Sequence, residues 1–125
     1  MLAVATAAFA VVLVFATHYP KPEELLGRRL PSDKTLHFAA YAMLTTLAAA
    51  TLAAAGRWTS ATLVRLGSAV AVFGMLDEAT QPLFSRVAEP RDWMFDCLGI
   101  AAGMLAVAAA LALVRRPRGS HADRT

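Results

Sequence analysis

Asp33, Lys34, His37 and Tyr41 fall within nine residues, Asp77, Glu78 and Gln81 within five, and Asp92 and Asp96 within five, with Arg86 between the last two groups. A histidine among several carboxylates suits two kinds of chemistry, proton transfer and the binding of a divalent cation. In either, His37 or Glu78 is the candidate catalytic base, and Asp92 and Asp96 complete the set. The same residue types also build a purely structural network, in which His37 and Arg86 neutralise carboxylates and fix helix packing. Both readings stay open at the level of residue types.

Several sharper motifs are missing. The chain has no His-Glu-x-x-His pair, no Gly-rich phosphate loop, and a single cysteine, Cys97, which reads as a small packing residue. No metal-ligand set and no cofactor are therefore predicted, although the His-carboxylate composition is compatible with a divalent ion. Ser32 precedes His37 by five residues, the wrong spacing for the Ser-Gly-His step of membrane lipid phosphatases, whose later histidine also has no counterpart. Arg86 has two uses: pairing with Glu78 or Asp92, or gripping a phosphate or carboxylate of a lipid-linked ligand with its planar fork.

The elements that position these residues are apolar. Of 125 residues, 58% are hydrophobic and 17% charged, against about 45–50% and about 25% in soluble domains. Charge is missing from Met1 to Tyr19, from Leu36 to Gly56 apart from His37, and from Cys97 to Val114. These blanks exclude a soluble domain and a disordered chain. A bilayer core needs about 20 apolar residues per helix, and backbone groups in lipid must be paired within the segment. The expected architecture is all-α: one transmembrane domain over residues 1–125, a four-helix bundle with short loops. Its helices cover about 1–19, 34–55, 60–80 and 92–114, and residues 115–125 form a basic tail. No Lys or Arg precedes the first apolar run, which predicts a retained helix rather than a cleaved signal peptide.

Four crossings put both termini and the Gly56–Thr59 turn on one side, with six Lys or Arg residues on each side. The Arg115-Arg116-x-Arg118 cluster at a helix end breaks the tie and places both termini in the cytoplasm. A sequence pI near 9.6 reflects that tail, which suits anionic lipid heads. No aromatic-interleaved basic patch suggests nucleic acid. Trp58 and Trp93 read as interfacial anchors. Residues 22–30 read as a surface-lying amphipathic stretch that lids the polar site.

Antiparallel threading brings the polar groups to one depth. Asp33, His37 and Tyr41 are spaced by four and share a helix face, as do Asp92 and Asp96; Asp77 and Glu78 each lie within a turn of Gln81. An ionisable group in a spanning segment costs about 2.5–3.5 kcal/mol at the helix centre, so their concentration predicts one polar pocket between helices. Ser32 or Asp33 caps the second helix. Gly99 and Gly103 form a small-x-x-x-small face for close helix packing, within the monomer or between copies in a homo-oligomer.

In order, the chain reads Asp33-Lys34-x-x-His37-x-x-x-Tyr41-x-x-Leu44, then Asp77-Glu78-x-x-Gln81, Arg86-x5-Asp92 and Gly99-x-x-x-Gly103. This ordered set, over residues 32–105, resembles the VanZ-like family of small bacterial membrane proteins. One position departs from the family pattern: Asp96 stands where Asn is usual, replacing an amide donor by a second carboxylate. The resemblance implies a multispanning envelope protein, in a family named for a member associated with teicoplanin resistance, and brings no agreed activity. Three functions follow as expectations: binding of an envelope lipid or lipoglycopeptide at the pocket, a membrane-embedded hydrolase or transferase acting on a lipid-linked substrate, and an accessory subunit of a larger membrane complex.

Overall fold

A computed structural model describes residues 1–20 and 32–114. The surface stretch expected at 22–30 and the basic tail from Arg115 lie outside the described residues. The chain is an all-helical four-helix bundle: α1 (Leu2–His18), α2 (Asp33–Ala54), α3 (Ser60–Thr80) and α4 (Pro90–Val114), with a 3-10 turn at Gln81–Phe84.

Local chemistry sets the ends. Tyr19 leaves the helix with φ −71° and ψ 124°, as expected for a residue preceding proline, so α1 stops at His18. Ser32 caps α2 by accepting from the Thr35 N–H, leaving Asp33 inside the first turn. At the far end Gly56 adopts φ +70°. The Gly56 N–H bonds to the Ala53 carbonyl at 3.0 Å and the Arg57 N–H to Leu52 at 2.8 Å, a Schellman termination that favours glycine. Thr59 and Thr62 then close a reciprocal capping box that starts α3. α3 tightens into the 3-10 turn where Pro82 has no N–H to donate. Left-handed Ser85 (φ 61°) turns the chain back. Pro90, preset for a first helical turn, starts α4 two residues before the expected boundary.

α2, α3 with its 3-10 extension, and α4 are long and apolar enough to cross a membrane, and α1 is a shorter apolar helix of 17 residues. The chain is a membrane protein. At 1.5 Å per residue α1 spans about 25 Å, the lower limit for a crossing.

The most extensive packing is between α2 and α4. A Cβ at Gly99 would collide with the Phe38 carbonyl oxygen, and one at Gly103 would sit 2.6 Å from that of Ala42. The glycine face is thus filled by α2 of the same chain, which brings the two backbones together. Leu13, Tyr41, Leu44, Val70 and Ile100 form the apolar core beneath the polar level. The Trp93 indole N–H donates to the Ala71 carbonyl at 2.9 Å, tying α4 to α3.

Candidate functional site

α2 contributes a ladder at intervals of four. Asp33 is exposed, His37 and Tyr41 are buried, and Thr45, one step further, is fully buried as well. The sequence reading stopped at Tyr41; continuing the same spacing finds Thr45. α3 delivers Asp77 and Glu78, the 3-10 turn delivers Gln81, and α4 delivers Asp92 and Asp96, all buried.

His37 is the centre. Its Nδ1 lies 2.9 Å from Asp96 Oδ1 on α4, and its Nε2 lies 3.5 Å from Glu78 Oε1 on α3. Glu78 is held in place from two sides. Gln81 Nε2 donates to Oε1 at 2.7 Å, and the Glu89 backbone N–H donates to Oε2 at 3.1 Å. Three helices thus meet at one imidazole.

The charged rim is arranged differently from expectation. Arg86 reaches both Asp33 oxygens at 3.4 Å rather than Glu78 or Asp92. Glu78 is already engaged by Gln81 and the Glu89 N–H, and the Ser85 turn carries Arg86 toward the start of α2. Because Ser32 takes the capping role, Asp33 remains available for that pair. Lys34 spans to α4, 3.1 Å from Glu89 Oε2 and 3.5 Å from Asp92 Oδ1. Glu89, a loop residue outside the helical spacing, escaped the sequence reading.

Asp77 belongs to a second group. Thr17 Oγ1 donates to its Oδ1 at 2.9 Å, and His18 Nδ1 is 3.5 Å from the same oxygen. His18 Nε2 is 2.9 Å from Thr80 Oγ1, and its ring meets Phe84 edge-on at 4.8 Å. The polar level therefore divides into a His37 group shared by α2, α3 and α4, and an Asp77 group shared by α1 and α3. Thr17 and His18 were legible as polar residues at the end of an apolar helix, at the same depth as the others.

Glycine makes room for the cluster. A Cβ at Gly74 would lie 3.1 Å from Asp96 Oδ2 and 3.1 Å from Tyr41 Cε1, so the carboxylate and the ring both rest against bare α3 backbone. Asp96 Oδ2, Asp92 Oδ1, Asp77 Oδ2, Tyr41 Oη and Thr45 Oγ1 are buried without hydrogen-bond partners among the described residues.

Two triads of suitable donors share His37: Asp33-His37-Asp92 and His37-Glu78-Asp96, each with its three donor atoms within 4.8 Å of one another. Beside them a cavity of about 230 Å³ opens between α1 and α2. Phe9, Val12, Leu13, Ala16, Leu36 and Ala40 make its apolar walls, and Thr17, Asp33, His37 and Arg86 its polar end. No family model, curated protein or solved structure matches the chain.

Proposed function

We propose that this chain is a VanZ-like protein of the bacterial cytoplasmic membrane that binds an envelope amphiphile, a lipid or a lipoglycopeptide, between α1 and α2. The observation that carries the reading is the cavity of about 230 Å³ whose walls are apolar and whose end presents Asp33, His37 and Arg86. The apolar walls would take part of an acyl chain, and the charged end would take a polar head. Ligand sites combine apolar lining with a few convergent polar groups in this way. With both termini cytoplasmic, the polar end lies toward the outer leaflet. There it meets lipid-linked precursors and acylated glycopeptides, consistent with a link to teicoplanin resistance.

Native mass spectrometry of the gently extracted chain tests this. A lipid-mass adduct is expected on the wild type and is lost in Ala16→Phe, which fills the cavity from an exposed position. It is weakened in Arg86→Gln. An adduct retained equally by Ala16→Phe, or none on the wild type, sinks the proposal.

A second reading, hydrolysis or group transfer on a lipid-linked substrate, draws on one observation. Asp96 orients the His37 imidazole through Nδ1 while Nε2 faces Glu78, an arrangement suited to a general base. Turnover of lipid-linked substrates by purified protein, abolished in His37→Ala, is its test; no turnover across phospholipid, lipid II and acyl-donor panels rejects it.

A further inference from the structure

Five carboxylates meet around His37: Glu78, Asp92 and Asp96, all buried, with Asp33 and Glu89 at the rim. Among the described residues two permanent cations face them, Lys34 and Arg86, and both lie at the rim. Isolated carboxylates are costly to bury at membrane depth, so the interior of this group is short of positive charge. Asp92 makes the deficit concrete. It is 1% exposed, and its Oδ1 has no hydrogen bond among the described residues. Lys34 stands 3.5 Å away, beyond the usual range for a charged hydrogen bond.

The histidine geometry supplies an independent argument. Nδ1 is 2.9 Å from Asp96 Oδ1; donation there fixes the tautomer and leaves the Nε2 lone pair free. A carboxylate behind an imidazole is the usual support for a metal-binding histidine. Nε2 faces Glu78 Oε1 at 3.5 Å, long for a hydrogen bond. Asp92 and Asp33 complete a triad around the same imidazole, with donor atoms within 4.8 Å of one another.

We propose that His37 Nε2, Asp92 and Asp33 hold one first-row divalent cation such as Zn²⁺ or Mn²⁺, and that Asp96 is a positioning residue that orients the imidazole. One imidazole with several carboxylates suits these ions better than thiophilic ones, and the imidazole disfavours Ca²⁺ and Mg²⁺. The site stands whether or not the neighbouring cavity takes an amphiphile.

The experiment uses the full chain in mild detergent, stripped with chelator and titrated with Zn²⁺ and separately with Mn²⁺, with elemental analysis and calorimetry as readouts. One equivalent per chain is expected. His37→Ala and Asp92→Asn weaken binding at least about 100-fold, and Asp96→Asn weakens it about 10- to 100-fold. Asp77→Asn, in the group facing α1, leaves it unchanged. Substoichiometric binding by the wild type, or equal binding by His37→Ala, overturns the proposal. Should the variants fail to fold, the wild type loaded with Mn²⁺ decides through pulsed electron paramagnetic resonance. Coupling to an imidazole ¹⁴N supports the site, and its absence overturns it. Loss of the lipid adduct leaves these readouts untouched, so the two proposals fail separately.

Discussion

His37 Nδ1 and Asp96 Oδ1 stand 2.9 Å apart with both side chains almost wholly buried, joining the first third of α2 to the first third of α4. The contact sits one turn from Gly99, where the two backbones come closest. The glycine face sets the distance between the helices, and the hydrogen-bonded pair fills the space above it. Truncating Asp96 strands a buried imidazole N–H, and leaving a buried donor unpaired costs about 1–3 kcal/mol. Asp96→Ala is therefore expected to lower the unfolding midpoint in detergent sharply, whereas Asp96→Asn, which can still accept from His37, loses less than half as much. Equal loss in the two variants shows that the carboxylate charge, rather than side-chain shape or a retained acceptor, carries the contact.

The glycines separate by what each would meet. Gly99→Ala drives a methyl into the Phe38 carbonyl, and Gly103→Ala brings one to 2.6 Å from the Ala42 carbonyl. Neither backbone can yield without parting α2 from α4, and a loss of about 1–3 kcal/mol or more is expected from each. Gly67 meets only the end of Met104, at 3.0 Å, and a methionine tip moves easily. Gly67→Ala is expected to be neutral, or to gain up to about 1 kcal/mol of helix propensity. Thermal unfolding of the three variants side by side is the measurement, and a destabilised Gly67→Ala contradicts this ordering.

Arg86 and Asp33 touch at 3.4 Å in a pair whose acid is half-exposed, and exposed pairs contribute about 0–1 kcal/mol. A double-mutant cycle of Arg86→Gln and Asp33→Asn is expected to return a coupling in that range. A coupling above about 2 kcal/mol shows that the pair is shielded from solvent far more than the structure indicates.

Much of this architecture was legible in the sequence. Gaps in charge located the apolar helices, because a lipid-facing segment tolerates few ionisable groups. Spacing by four put His37 and Tyr41 on one face, because 3.6 residues per turn returns each fourth residue to nearly the same side. Partner choice was harder to read. Whether Arg86 met Asp33, Glu78 or Asp92 depended on Ser32 taking the cap and on a left-handed turn at Ser85, neither of which hydropathy registers. Gly74 gave no signal, since its role is to leave space for Asp96 and Tyr41 from two other helices. Trp93 read as an anchor because its nearness to a helix end is visible in sequence and its approach to the Ala71 carbonyl is not.

Thr17 tests the second polar group. Its hydroxyl donates to Asp77 across the α1–α3 boundary, and hydrogen bonds between membrane helices contribute about 0.6 kcal/mol on average, with a maximum near 1.7. Thr17→Val is nearly isosteric and is expected to cost about 1 kcal/mol while weakening the hold of α1 on α3. Faster proteolysis near Pro20, or increased hydrogen exchange confined to α1, is the accompanying sign. Exchange that rises equally in α4 argues that the two polar groups act as one unit.

Tyr41 distinguishes a dry packing site from a wet one. The side chain is fully buried, and its hydroxyl has no hydrogen-bond partner among the described residues. The ring itself packs against Gly74 and lies 6.2 Å from Phe73 between centroids. If the hydroxyl is unsatisfied, Tyr41→Phe keeps the ring contacts and removes a buried polar group at no loss, so stability holds or rises by about 1 kcal/mol. If the hydroxyl binds water or a ligand head, the same substitution strands that partner and costs about 1–3 kcal/mol. No protein group among the described residues reaches the hydroxyl, so the first outcome is the one expected. Tyr41→Leu provides the contrast: it forfeits the ring's packing against α3 and is expected to be destabilising in either case. Equilibrium unfolding of both variants, before and after lipid is stripped from the protein, separates the two states of the hydroxyl.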